Sequence, residues 1–165
     1  MRIRVKSVSV AVFCSLALCT ASAQTSQNQS RKTLTRDDGR AVVDVAIHSK
    51  VRRDSAHDCS HLVHAIYERA GFPYIYASSD DLYDGVEGFR LVKKPQPGDI
   101  IVWHGHAGIV VQPSRHVFFS FLSAGPGTDD YHSHYWIGRG QPRFYRYIKN
   151  DPCAGCTVAA LRRAP

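Results

Sequence analysis

Apolar residues recur at helical spacing in two stretches of the chain and gather at strand length in several others. From Ala41 to Ile47 the run AVVDVAI follows Asp37-Asp38-Gly39, and its three- and four-residue spacing predicts a first helix. From Asp58 to Ala70 the spacing is clearer. Cys59, Leu62, Val63, Ile66 and Ala70 make one apolar stripe, with Asp58 suited to the N-cap and Gly71, then Pro73, to the stop. Tyr74 to Phe89 lacks a period and reads as an irregular loop. Pro97-Gly98-Asp99 reads as a turn. Ile100–Trp103 is an apolar run of strand length, His104-Gly105 a tight connection, and Ala107–Val111 a second strand. Val117–Leu122 is a third strand, Ser123 to His134 a polar, glycine-rich connection, and Arg143–Ile148 a final strand. Two helices followed by an antiparallel meander of four or more strands give an α+β fold.

The ends of the chain read differently. Arg2, Arg4 and Lys6 precede an apolar stretch from about Val8 to Leu18, then Ala21-Ser22-Ala23, a small-x-small pattern. Residues 1–23 thus read as a secretory signal peptide, too short for a membrane span. Residues 24–36 read as a polar linker, 37–150 as one domain, and 151–165 as a tail with Cys153-x-x-Cys156. With 165 residues, 44% hydrophobic and 21% charged, the chain has the make-up of a single globular domain, expected to be a monomer. Losing three cations with the signal lowers the formal net charge from +7, yet leaves it positive. A mildly basic exported protein suits the anionic polymers of a bacterial envelope. Lysines and arginines form no stripe, which disfavours nucleic acid as a partner.

Trimming the signal removes Cys14 and Cys19 and leaves Cys59, Cys153 and Cys156. Cys153 and Cys156 can close a local disulfide, so Cys59 is the odd thiol of an oxidising compartment. It stands at the first turn of its predicted helix, where free N–H groups and the helix dipole favour a thiolate and a lowered pKa. A thiolate nucleophile needs a base that takes a proton and returns it to the leaving amine. His61 and His64 lie on the same helix at offsets that turn them away. His106 begins a strand between Gly105 and Ala107-Gly108, with small neighbours that leave its ring accessible. His104, at the hairpin tip, is its rival.

DCSHLVHAIYERAG (58–71) and QPGDIIVWHGHAGIVV (96–111) resemble, in order and spacing, the two motifs of the NlpC family of bacterial cell-wall cysteine peptidases; Tyr135-Trp136 is similar to a late pair in some members. The resemblance implies a papain-like domain with its nucleophile helix packed on an antiparallel sheet. It implies Cys59 as nucleophile, His106 as base, and hydrolysis of the amide between D-γ-glutamyl and a diamino acid in peptidoglycan stem peptides. It also implies a role for Asp58 and Ser60 in holding that substrate, and no cofactor. The family carries a third polar residue on the strand after the base. Direct counting puts Phe118 in that slot; a small slip brings Ser120 there, and the opposite slip His116. Ser120 is the first choice. Two departures bear on substrate identity: Arg52–His57 stands where an aromatic-Gly-Gly run is usual, and His61 replaces a glycine.

Other readings are weaker. His104-x-His106, His132-x-His134 and His57/His61 have zinc-like spacings, but no glutamate accompanies them as in the metallopeptidase helix motif. The Cys-x-x-Cys lacks the strand-then-helix context of a redox pair. A domain that binds wall peptide without cutting it is the non-enzymatic alternative.

Overall fold

Asp58 opens the helix around which the domain is arranged, and it does so as the capping pattern requires. The computed structural model describes residues 32–48 and 58–149. The expected signal segment 1–23, most of the expected linker, the Arg52–His57 run and the Cys153/Cys156 pair lie outside the described residues. Helix α2 (Cys59–Arg69) starts when the Asp58 side chain accepts the amides of Ser60 and His61. Leu62, Val63, Ile66 and Tyr67 are fully buried, so the stripe runs down through Tyr67, whereas the expected Ala70 is only half-buried. Tyr67 donates its hydroxyl proton to the Gly98 carbonyl at 2.5 Å, which satisfies the phenol inside the core.

Helix α1 (Arg36–His48) begins earlier than the apolar pattern suggests. Thr35 and Asp38 bond reciprocally, amide to side chain in both directions, and this starts the helix before its first apolar residue. Two residues of the expected linker pack on the domain. Thr33 bridges to Ile148, and Leu34 donates its amide to Tyr147 and is 2% exposed. One leucine in a polar run carries no period, so the sequence could not announce its burial. Gly39 lets α1 meet the Pro97-Gly98 turn: a Cβ there would land on the Pro97 carbonyl.

Six strands form one antiparallel sheet: β1 (Phe89–Val92), β2 (Ile100–Trp103), β3 (His106–Gln112), β4 (Val117–Leu122), β5 (Gly125–Asp130) and β6 (Arg143–Tyr147), in the order β1-β6-β2-β3-β4-β5. The meander from β2 to β4 is as read, β5 extends it, and β6 returns to lie between β1 and β2. Two segments expected to be irregular are structured. Ser78 and Asp81 form a capping box that starts α3 (Ser79–Asp84), and β1 pairs with β6. In the glycine-rich stretch, β5 is held in register by β4, and α4 (His134–Gly138) follows.

The sheet buries both faces. On one, α1 and α2 cover Ile100, Val102, Ala107, Ile109 and Phe119. On the other, Trp103, Val110, Phe118, Tyr131 and Trp136 form a smaller, aromatic core. The fold class is α+β, as expected from the pattern. No described helix is long and apolar enough to cross a membrane.

Candidate active site

Cys59 is a half-buried free thiol and the first residue of α2. The Asp58 carboxylate competes with the sulfur for the amides of the helix start. Asp58 Oδ1 accepts the Ser60 amide at 2.8 Å, the Ser60 hydroxyl at 2.7 Å and the His61 amide at 2.9 Å, while Oδ2 faces His61 Nδ1 at 3.0 Å. Burial alone would raise the Asp58 pKa, but Ser60 and His61 outweigh it and bring it down to about 2. A fixed negative charge therefore stands beside the thiol. Burial pushes the Cys59 pKa up, and Asp58 adds to the rise; the Ala107, Cys59 and Ser60 amides pull the other way without winning. This corrects the expectation of a lowered thiol pKa: desolvation exceeds the helix-terminus effect here.

His106 opens β3 on the aromatic face. Its ring lies 4.6 Å from Trp136 and 6.2 Å from Trp103, centroid to centroid. Burial, and then the Arg139 charge, lower its pKa to about 4, so at neutral pH it is an uncharged base. Ser120 lies at 2.9 Å from His106 Nε2, and its oxygen is also 2.6 Å from the Ala107 carbonyl. A serine has one proton, and a carbonyl can only accept. The Ser120 proton therefore goes to Ala107, and Ser120 accepts from Nε2–H. That assignment fixes the tautomer with Nδ1 bare.

The slip that brings Ser120 into this slot is a bulge. β3 and β4 pair Val110 with Phe118, but then Gln112 with Val117, leaving Val111 over. Gly108 permits the close approach of β4, since a Cβ there would sit 2.6 Å from the Phe118 ring. Phe118 lies T-shaped to His106 at 6.3 Å and offers no polar atom. His116 is elsewhere: it adopts a left-handed conformation (φ 58°) after the Pro113–Arg115 turn and stacks on His132 at 3.6 Å. His104 is exposed at the hairpin tip, beside Asp80 and against the Tyr83 ring.

Ala107 joins the two halves. In a strand the N–H and C=O of one residue point to the same side. The β3–β4 ladder has its first register pair at Ile109 and Phe119, so the outer side of Ala107 is left to side chains. Its amide is one of those that pull the Cys59 thiol pKa down, and its C=O accepts from Ser120. The Cys59 thiol and the Ser120 hydroxyl thus share one residue's backbone, next to His106.

Asp58 and Ser60 stand beside Cys59 but are engaged with each other, and Ser60 is 4% exposed. The Ser60 hydroxyl also meets the Tyr76 hydroxyl at 3.0 Å. Tyr76 borders an open cleft of about 540 Å³ lined by Tyr74, Ile75, Asp81, Glu87 and Tyr147, among others. Sequence reading missed Tyr76 because it lies in a segment without a period. Trp136 was noted, but its cover over the imidazole was not foreseen, nor was Arg139. Among the described residues no three histidine, cysteine or acidic side chains converge as a metal site.

No protein-family model and no curated protein matches the sequence. Among solved structures, the fold is similar to that of a Staphylococcus aureus protein described as similar to a lipoprotein of the NLP/P60 family. The TM-score is 0.55 at 21% identity, over 74% of this chain and 45% of that one, so the chain spans under half the length of that protein. The similarity shows an NlpC-like fold.

Proposed function

We propose that the chain is an exported cysteine peptidase that hydrolyses amide bonds in peptidoglycan stem peptides, at D-γ-glutamyl–diamino acid bonds, within the periplasm or cell wall. The reading rests on the chain of contacts from Cys59 through the Ala107 backbone to Ser120 and His106. The signal-like start and the NlpC-like fold support the location and the reaction class.

Both reacting groups are neutral at rest, so attack and proton transfer occur together. Cys59 sulfur adds to the carbonyl carbon while its proton passes to His106 Nδ1. The oxyanion forms at the start of α2, where the Cys59 amide is the nearest donor. Collapse breaks the C–N bond, and the amine leaves with the proton from His106. Water then attacks the thioester, giving its proton to Nδ1, and the C–S bond breaks to return the thiol. Ser120 keeps Nδ1 unprotonated at rest and aimed through the cycle. Asp58 stands at the approach to Cys59 and borders the bound peptide, and the buried Ser60 holds it there. No cofactor enters.

Digestion of purified peptidoglycan by the native protein and by Cys59→Ala, with mass analysis of the fragments, tests the mechanism. New peptide termini should appear only with the native protein; equal release by both would end this reading. A second reading, a domain that binds wall peptide without cutting it, draws on the raised thiol and depressed imidazole pKa values. It requires that the native protein bind stem peptides and release no termini.

A further inference from the structure

Arg139 follows α4 and, among the described residues, is held in place without an acidic partner. Its Nη2 donates to the His104 carbonyl at 3.0 Å and its Nη1 to the Tyr135 hydroxyl at 3.3 Å. The guanidinium carbon lies 5.6 Å from the Trp136 ring, the same ring that lies tilted against His106. A Cβ on Gly105 would sit 3.6 Å from Nη2, so the charge lies along the hairpin tip that presents the base. The carboxylates go to the half-buried cations of the domain: Arg146 has Asp99 at 2.8 Å, and Lys149 has Asp38 at 2.6 Å. Among the described residues none pairs with Arg139. The nearby Asp80 is turned to the Gly105 amide and His104 instead.

A guanidinium has five N–H donors in a planar fork. Two are used here, and the residue is exposed. As pure architecture this is a poor choice, because the positive charge weakens the base beside it. It becomes favourable once an anion occupies the free edge. A γ-linked glutamyl residue carries such an anion, since its α-carboxylate stays free and lies a short carbon bridge from the scissile carbonyl.

We infer that Arg139 anchors the free α-carboxylate of the γ-linked glutamyl residue and so selects that residue over its α-carboxamide form. The inference deepens the proposed function and rests on it for the identity of the peptide. The bound carboxylate offsets the Arg139 charge and so removes the lesser of the two causes that lower the His106 pKa, burial being the larger.

Two stem peptides that differ only in this group, carboxylate or carboxamide, provide the test. Binding is measured by calorimetry on Cys59→Ala, with and without Arg139→Gln or Arg139→Lys, and kcat/KM on the corresponding variants that keep Cys59. A charge-assisted bidentate contact predicts a preference for the carboxylate of roughly 10- to 100-fold. Arg139→Gln should bring that ratio close to one, and Arg139→Lys should keep part of it. Equal binding of both peptides by Cys59→Ala, or equal losses on both peptides in Arg139→Gln, overturns the inference, since a merely structural arginine would act on both alike. Selective binding by Cys59→Ala without turnover by the native protein upholds the anchor and removes the peptidase.

Discussion

The two halves of the candidate site are built in opposite ways. Cys59 is placed by its immediate neighbours: Asp58, Ser60 and His61 close the cap within three residues. His106 is placed by residues far apart in the chain, with Trp103 and Trp136 beside it, Ser120 on Nε2 and Arg139 at the tip. They differ electrically too, with a carboxylate beside the thiol and a guanidinium beside the imidazole. Each charge opposes formation of a resting ion pair. The arrangement favours neutral reactants and leaves proton transfer to the moment of attack.

Removing the base should produce the largest effect. His106→Ala takes away the proton acceptor placed beside the Ala107 hub, and kcat should fall by about 10³-fold or more, within the range general-base removal produces. Thermal unfolding should shift little by comparison, because the ring is only half-buried. Comparable turnover by His106→Ala and native protein would transfer the role to another group, with His104 the first to examine.

Trp136→Ala attacks the long-range half at its cover. Trp136 is 3% exposed, packs on Trp103, Phe118 and His106, and donates its indole N–H to Asp129 at 2.8 Å. Truncating a buried tryptophan costs about 3–5 kcal/mol, measured by denaturant unfolding. The same change admits water to the imidazole. In the native protein activity should be lost as pH falls through about 4, because protonation then removes the base. In Trp136→Ala that acid limb should move up toward the ordinary histidine range. An unmoved limb would mean that burial by Trp136 does not set the basicity.

The contrast between the halves also explains what the sequence reveals. α2, its cap and the thiol at its head are visible because everything that makes them is contiguous: Asp58 to cap, an apolar stripe to bury, Gly71 to end. His106 was visible through its strand position and family resemblance, although neither names its surroundings. Ser120 could be singled out, but not separated from His116 by counting, because neither the β3–β4 register nor the left-handed turn that takes His116 out of the strand has a sequence signature. β5 was invisible for a similar reason: Gly125–Asp130 has no strand pattern, and its conformation is imposed by pairing with VFFSFL. The lowered thiol pKa was misjudged because helix position is local, whereas the burial that outweighs it comes from packing.

Ser120→Ala tests where the halves join. It removes the acceptor for Nε2–H and leaves the Ala107 carbonyl without its hydroxyl, an unsatisfied acceptor worth about 1–3 kcal/mol. kcat should drop with KM nearly constant, since the change disturbs tautomer and pose more than peptide binding. Ser120→Thr retains the hydroxyl and should recover part of the rate if the added methyl is accommodated. A fall in kcat/KM carried wholly by KM would make Ser120 part of the binding surface.

The smallest effect is expected at the local half, in Asp58→Asn. Asparagine caps helices about as well as aspartate, so unfolding free energy at neutral pH should change by less than about 1 kcal/mol. Its pH dependence should change more clearly. Asp58 has a folded pKa of about 2, below the ordinary 3.8, so it binds its proton less readily folded than unfolded. The stability it contributes is complete above the ordinary carboxylate pKa and drains away as pH falls toward 2. Its side chain is 49% exposed, so solvent screens that contribution and keeps it modest. The asparagine variant has no such titration, and the two stability curves should converge in acid. The thiol should respond in the opposite direction. Losing the negative charge beside Cys59 lowers the thiol pKa, so iodoacetamide labelling at mildly alkaline pH should be faster in Asp58→Asn than in the native protein. If the labelling rates coincide, burial alone holds the thiol neutral, and the carboxylate serves only as a cap.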